Sequence, residues 1–257
     1  MKIFYALLVT ATTIACSEQK FKGSTANKNP ASGKPPRTES NATIENSQTP
    51  VNAEDGVVKA QKCSADYQIP GSANPYFAGS PSSAKLTYSF HSGNNTDPAS
   101  TTAPVQIVPL NDLCLKAASK LTFATTGSLS HGAGTAGALT PEGNGTITGH
   151  ALGAQLGKSD LVAPFISVVA VFIGKDDPST QSPPVALDFS TAQARNYKSL
   201  EPKLGQIFFV GDGKTDAGEA QVIVVPPESA QLYMAVWDTG QWNNNAGSMV
   251  GAINLVP

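Results

Sequence analysis

The first feature of this sequence that suggests chemistry is an oxygen-rich loop near its end. Residues 238–248 read DTGQWNNNAGS, in which the carboxylate of Asp238 is followed by three consecutive asparagines and a Gly-Ser pair. Ca²⁺ takes roughly six to eight oxygen ligands from carboxylates, amide side chains, backbone carbonyls and water. The loop therefore predicts a calcium site to which the protein brings a single negative charge. An Asn-rich hairpin turn explains the loop equally well, because asparagine tolerates left-handed conformations and bonds its own backbone.

Catalysis finds little support in the residue types available. The chain has only three histidines and contains neither a G-x-S-x-G nor an H-E-x-x-H motif. Ser130 and His131 are adjacent, and neighbours on an extended chain point to opposite faces, so they do not form a proton relay. Asp176 and Asp177 are adjacent too, which makes them unsuitable as an acid pair facing one cleft. We therefore expect no enzymatic activity.

Short β-rich segments follow Cys63, each bounded by Gly, Pro, Asn, Asp or Ser. They are residues 84–91, 104–110, 119–127, 164–174, 206–211, 220–225, 230–237 and 248–255. Only residues 191–200 suggest a short helix. The segment at 230–237 is apolar on both faces, which is typical of a central strand covered on both sides. The pattern predicts an all-β sandwich with the oxygen-rich loop before its last strand.

Four segments occur in an order that is similar to a known family. The last is VWDTGQWNNNAGSMVGAINL, in which an Asp opens a loop, paired Asn residues and a Gly-Ser close it, and a strand follows. Before it come LTFATTGSLSHG (121–132), APFISVVAVFIG (163–174) and the hairpin of residues 205–238. The series resembles the PA-IL-type galactophilic lectins of bacteria and the exported domains related to them, over most of residues 75–257. The resemblance implies a galactose-binding-like or jelly-roll β-sandwich that binds sugar through Ca²⁺.

The resemblance also implies a set of calcium ligands. They are the carboxylate of Asp238, the side-chain oxygens of Asn244 and Asn245, and the backbone carbonyls of Gln241 and His131. The loop is slightly shorter than in the galactophilic lectins, so the carbonyl of Trp242 is the alternative to that of Gln241. His131 replaces an aromatic residue whose carbonyl binds the metal, and its imidazole is therefore not needed as a ligand.

The sugar-binding half of the lectin pattern is less well preserved. Where the lectins have a His and a Gln for the outer sugar hydroxyl, this chain has LTPEGNG at residues 139–145. Thr140 and Gly143 stand at the nearest equivalent places, and Glu142 is a candidate hydrogen-bond acceptor. Trp242 is a candidate for stacking on the sugar, and the alternative is a hydrophobic clamp over the end of the sandwich. Galactose specificity is therefore not expected to carry over.

The first residues predict export. Lys2 is followed by an apolar run up to Ala15, too short for a bilayer core that needs ~20 apolar residues, so residues 1–15 predict a cleaved signal. The TIAC end resembles the lipobox of bacterial lipoproteins, which would make Cys16 the acylated new N-terminus. Ser17, directly after this cysteine, resembles the residue at the same place in lipoproteins that are sorted to the outer membrane. The alternative is an ordinary secreted or periplasmic protein with an incidental cysteine.

A change of composition divides the rest of the chain in two. Residues 16–62 are rich in Ser, Thr, Asn, Pro, Lys and Glu without periodicity, which predicts a disordered tether. Residues 63–257 form the predicted folded domain. An exported chain meets an oxidising compartment, so we expect Cys63 and Cys114 to form a disulfide. Two free buried thiols are the alternative.

Together these features favour a lipoprotein at the cell surface whose domain binds carbohydrate through Ca²⁺. The alternative is a structural or adhesive surface protein in which calcium only braces loops and no sugar binds. Contact with the membrane is expected through the lipid anchor alone. A formal net charge of −2 offers no basic patch for nucleic acid. A homo-oligomer remains open.

Overall fold

The computed structural model describes residues 63–86, 104–107, 114–131, 138–149 and 153–256. All of these residues belong to the compact unit Val58–Pro257. The predicted export signal, the lipidated Cys16 and the tether of residues 16–62 lie outside the described residues and stay predictions. Within the described ranges, no helix has both the length and the apolar character needed to span a membrane.

Strands dominate the described part of the chain. They are β1 Ser64–Pro70, β2 Val105–Gln106, β3 Lys120–Ser130, β4 Ile147–Gly149, β5 Leu161–Pro164, β6 Val168–Ile173, β7 Leu187–Asp188, β8 Ser199–Leu200, β9 Phe208–Phe209, β10 Val222–Val224, β11 Gln231–Val236 and β12 Ala246–Val256. The helical elements are α1 Ala192–Arg195 and short 3-10 turns at Pro75–Phe77, Pro178–Thr180 and Trp242–Asn244. Helix α1 falls within residues 191–200, where a short helix was predicted.

The strands form three sheets. Their orders are β1-β12-β3-β10-β8, β2-β11-β6-β9 and β4-β5-β7. Side chains from all three sheets join a single hydrophobic core, with Ile253 of β12, Phe172 of β6 and Leu161 of β5 among its buried members. The predicted all-β sandwich is confirmed.

Two long antiparallel pairings determine where the loop at 238–245 lies. Strand β12 pairs with β3 along its whole length, from Lys120 opposite Val256 to Ser130 opposite Ala246. On its other side β12 pairs with β1. Because β12 starts where β3 and β1 end, the loop before β12 meets the chain that leaves both of these strands.

The interior follows the period of two that strands impose. In β3, Leu121, Phe123 and Leu129 are buried in the core. Tyr67 of β1 is buried beside Thr125 of β3, and their hydroxyl oxygens are 2.6 Å apart in a hydrogen bond. Strand β11 lies between β2 and β6, which agrees with the central position predicted for residues 230–237.

One predicted strand is two strands in the structure. Residues 164–174 were expected to be continuous, but β5 ends at Pro164 and β6 begins at Val168. Between them Ile166 adopts a left-handed backbone with φ of 64°. Its N–H donates to the carbonyl of Trp237, and the N–H of Trp237 donates to the carbonyl of Ser167. Pairing with the chain after β11 thus holds this break in place.

The predicted disulfide is confirmed. Cys63 and Cys114 are bonded, and their Cα atoms are 5.6 Å apart. The bridge closes a sequence separation of 51 residues. Cys63 precedes β1, and its carbonyl accepts from the N–H of Leu255 in β12. The bridge thus ties Cys114 to the start of the domain, and this hydrogen bond ties the start of the domain to the last strand.

A lysine is buried in the loop that precedes β5. Lys158 has no exposed surface, and its ammonium donates to the carbonyl of Ala78 at 3.1 Å and to the hydroxyl of Ser80 at 2.7 Å. Burial lowers the pKa of Lys158 to about 7, and the negative charge of Asp177 opposes that shift. The lysine therefore joins residues 78–80 to the loop at 157–160, although burial disfavours the charged form of its side chain.

This lysine predicts a pH dependence of stability. Between pH 7 and pH 9 the unfolded chain keeps Lys158 protonated, whereas the folded chain releases the proton. Because the unfolded state binds more protons across this interval, the free energy of unfolding should rise with pH, by about 2 kcal/mol. Urea unfolding at pH 7, 8 and 9 measures the slope. In Lys158→Met the rise should disappear, and an equal rise in that variant would show that another group causes it.

Candidate calcium site

A buried carboxylate organises the loop between β11 and β12. Asp238 follows the end of β11 and is only 2% exposed. Its Oδ1 accepts from the backbone N–H of Gly240 at 3.0 Å and from that of Gln241 at 3.3 Å. These bonds fold the chain back on itself, as aspartate commonly does in turns. The charge is thereby held at the tip of the sandwich.

Asn245 lies against this carboxylate and has an unused oxygen. Its Nδ2 donates to Oδ2 of Asp238 at 2.8 Å and to the carbonyl of Gly71 at 3.1 Å. Its Oδ1 is buried and finds no hydrogen-bond partner among the residues that the structure describes. A buried acceptor without a partner costs about 1–3 kcal/mol, and in native structures it calls for an explanation such as a bound ion.

His131 reaches the same loop from β3. It directly follows Ser130, which pairs with Ala246, so the register brings His131 to the position opposite Asn245. Its ring packs edge-on against Phe165 with ring centroids 4.9 Å apart. The role of its backbone carbonyl as a calcium ligand stays a prediction.

The remaining predicted ligands lie in the 3-10 turn Trp242–Asn244 or, for Gln241, directly before it. Asn244 donates from Nδ2 to Oε1 of Gln241 at 3.1 Å, and its backbone N–H donates to the carbonyl of Gln241 at 3.0 Å. The carbonyl of Trp242 accepts from the N–H of Asn245 at 3.3 Å. Gln241 and Trp242 stay the two predicted alternatives for the backbone ligand.

Trp242 does not have the sugar-stacking role that was predicted for it. The side chain is fully buried, so it presents no face to a sugar. Its Nε1 donates to the carbonyl of Val236 at 2.8 Å, and its ring meets that of Tyr76 edge-on at 6.2 Å. This burial and these contacts agree with the alternative role, a hydrophobic clamp over the end of the sandwich.

Thr140 and Glu142 have their described contacts outside the loop of Asp238. Thr140 pairs through its backbone with Gly143. Glu142 accepts through Oε1 from the backbone N–H of Asp212 at 2.8 Å. Burial raises the pKa of Glu142, and the bond from Asp212 opposes that shift. A part for either residue in sugar binding stays a prediction.

The predicted donors suit calcium in kind. Among the residues that the structure describes, no group of three or more His, Cys, Asp or Glu side chains comes together. A metal at this loop would therefore depend on one carboxylate, amide oxygens and backbone carbonyls. Such hard oxygen donors are those that Ca²⁺ prefers, and the soft or nitrogen donors typical of zinc sites are missing from the set.

Gly71 also contacts the loop of Asp238, and it was not among the site residues predicted from the sequence. Its carbonyl accepts from Asn245, and its own N–H donates to the carbonyl of Gly247 at 3.1 Å. The sequence does indicate a turn here, because Pro70 and Gly71 form a turn dipeptide at the end of β1.

A scan against protein-family models finds no matching family, and a search of the curated proteins finds no match.

Proposed function

We propose that this domain binds Ca²⁺ at the loop of residues 238–245 and binds carbohydrate through that ion. The observation that carries the proposal is the buried Oδ1 of Asn245. Within the described part of the chain this oxygen has no hydrogen-bond partner, although the Nδ2 of the same side chain donates to the Asp238 carboxylate. One anionic oxygen and one unsatisfied neutral oxygen are thus adjacent at the tip of the sandwich. The carbonyl of His131 would extend this set from the opposite strand.

The chain's own residues would do three things at this site. Asp238 would supply the only charge, and its bonds to Gly240 and Gln241 keep its carboxylate oriented. Asn245 would supply a neutral oxygen while remaining tied to Gly71. When bound, Ca²⁺ supplies open coordination positions and residual positive charge to which adjacent sugar hydroxyls bind.

The proposed ligand is a neutral glycan with vicinal hydroxyl groups. A site with one formal charge leaves the ion undercompensated, which favours neutral oxygen ligands from outside the protein. The resemblance to the PA-IL-type lectins supports the same chemistry. The predicted acyl anchor on Cys16 would hold such a domain at the cell envelope, with the glycan as its partner there.

A second function follows from the same contacts. Asn245 links the loop to Gly71 at the end of β1, so a cation here would also brace two connections of the sandwich. In that case calcium would stabilise the fold of a structural or adhesive protein, and no sugar would bind.

A glycan array with the full chain separates the two functions. We expect binding to neutral glycans in Ca²⁺, loss of that binding with EDTA, and loss in Asn245→Ala. Asn243→Ala is the matched control, because Asn243 is exposed and outside the proposed ligand set. Its binding should equal that of the unchanged chain. Glycan binding that survives EDTA would reject the calcium-mediated lectin, and calcium binding without any glycan would leave the bracing function.

A further inference from the structure

A second candidate site lies at the end of the sandwich opposite to Asp238. A cleft of about 780 Å³ opens where β6 ends at Ile173 and where the chain approaches the start of β11. Strands β6 and β11 are antiparallel, with Val168 opposite Val236 and Ile173 opposite Gln231. Asp238 follows the far end of β11, so the length of these six-residue strands, roughly 20 Å, separates the cleft from the calcium loop.

A smaller depression adjoins the cleft at residues 173–176. That depression has a volume of about 320 Å³ and shares Ile173, Gly174, Lys175 and Asp176 with the main cleft. Gly79 and Ser80 line its other side. The two volumes thus adjoin along residues 173–176 and are together called the groove, and an extended ligand that crosses these residues can contact both. The main cleft alone is within the range of ordinary ligand sites.

The walls of this groove are fixed by buried contacts. Lys158 holds Ser80 and the carbonyl of Ala78 through its ammonium. Gly157 passes so close to the carbonyl of Pro178 that any side chain at this glycine would collide with it, and its φ of 74° is left-handed as well. The backbone around the groove is therefore preformed, which lowers the entropic cost of binding.

The chemistry of the main cleft combines an apolar floor with an acidic rim. Ile173 is buried, and Leu204 lies half-buried beside it. The rim carries the exposed carboxylates of Asp176 and Glu228 together with one ammonium, that of Lys175. Among the described residues that line this cleft none is aromatic, so the ring stacking that commonly holds sugars has no counterpart here.

We propose that this groove binds an extended peptide segment through a lysine or arginine side chain. Such a side chain has an apolar stem and a cationic head, and the cleft offers an apolar floor below two carboxylates. The excess of carboxylates over ammonium at the rim selects for the basic head by charge complementarity. The site is separate from the calcium loop and does not depend on the proposed lectin function.

The test is a titration of the full, ¹⁵N-labelled chain with a short uncharged peptide that carries one central lysine. NMR shifts of the amides of Gly174 and Gly205 report occupancy of the cleft. We expect saturable shifts that are unchanged by EDTA. A matched peptide with norleucine, which keeps the stem and lacks the charge, should bind about tenfold more weakly, because the charge-assisted contacts are gone.

Variants of the rim complete the design. Asp176→Asn with Glu228→Gln should weaken lysine-peptide binding about tenfold, and both side chains are exposed, so the fold should be unaffected. Asp66→Asn, an exposed carboxylate on β1, is the matched control and should bind as the unchanged chain does. Equal binding of the lysine and norleucine peptides, no saturable shift at millimolar peptide, or shifts at these amides with chitohexaose instead would each overturn the proposal.

Discussion

Replacing Trp242 by alanine is expected to lower the free energy of unfolding by about 4 kcal/mol, the largest effect that we predict for a single substitution. The ring is fully buried, and its truncation leaves a cavity beside Tyr76. The carbonyl of Val236 also loses the hydrogen bond from the indole N–H. Both losses act at the end of the sandwich, where the loop of Asp238 begins.

Urea unfolding of Trp242→Ala beside Asn243→Ala measures this effect. Asn243 is the exposed neighbour, so its truncation should change the free energy of unfolding by less than about 0.5 kcal/mol. If Trp242→Ala were as stable as Asn243→Ala, the clamp role would be wrong, and a role in contacting ligands would have to be considered again.

Replacing Asp238 by alanine is the second large effect, with an expected loss of about 3 kcal/mol. The carboxylate accepts from the backbone N–H groups of Gly240 and Gln241 and from the amide of Asn245, and removing it leaves these donors without their acceptor. The loss should be present without calcium, because all three bonds lie within the protein.

The same variant should also lose any stabilisation by calcium. A ligand that binds only the folded state raises stability with its concentration, by about 2.7 kcal/mol at 100 times its Kd. We therefore expect the thermal midpoint of the unchanged chain to rise with added Ca²⁺ and that of Asp238→Ala to stay constant. A parallel rise in both proteins would place the stabilising ion elsewhere.

The sequence predicted the strands whose patterns are long and regular. The segment at 230–237 became β11, and the segment at 248–255 became most of β12, because turn residues bound each of them. Strands β7, β8 and β9 have two residues each, too few for any period to appear. The break at Ile166 was missed for another reason. A β-branched residue with positive φ is held there by tertiary hydrogen bonds, which local propensity does not reveal.

The sequence of β1 alternates between buried and exposed positions. In SADYQIP the residues Ala65, Tyr67 and Ile69 are buried, whereas Asp66 and Gln68 are exposed. This is the alternation of a half-buried strand, but the strand segments identified from the sequence began at residue 84. Because β1 was not predicted, the contact of Gly71 with the candidate site was not predicted either: β1 ends at the turn in which the Gly71 carbonyl accepts from Asn245.

The candidate site itself was predictable only in part. The oxygen-rich composition of residues 238–248 pointed to Asp238 and Asn245, and the structure joins these side chains directly. The position of Trp242 was not predictable, because an indole in a polar loop fits both an exposed and a buried role. Its burial depends on Tyr76, a residue far away in the sequence.

Isothermal titration of Ca²⁺ into the full chain measures directly whether the loop at 238–245 binds the ion. We expect one ion per chain, bound with a Kd of roughly 10⁻⁵ to 10⁻³ M, as suits a site with a single carboxylate. Binding should persist in Asn243→Ala and vanish in Asp238→Ala. An unchanged chain that takes up no calcium at millimolar concentration, or an Asp238→Ala variant that binds calcium as well as the unchanged chain, would contradict the account.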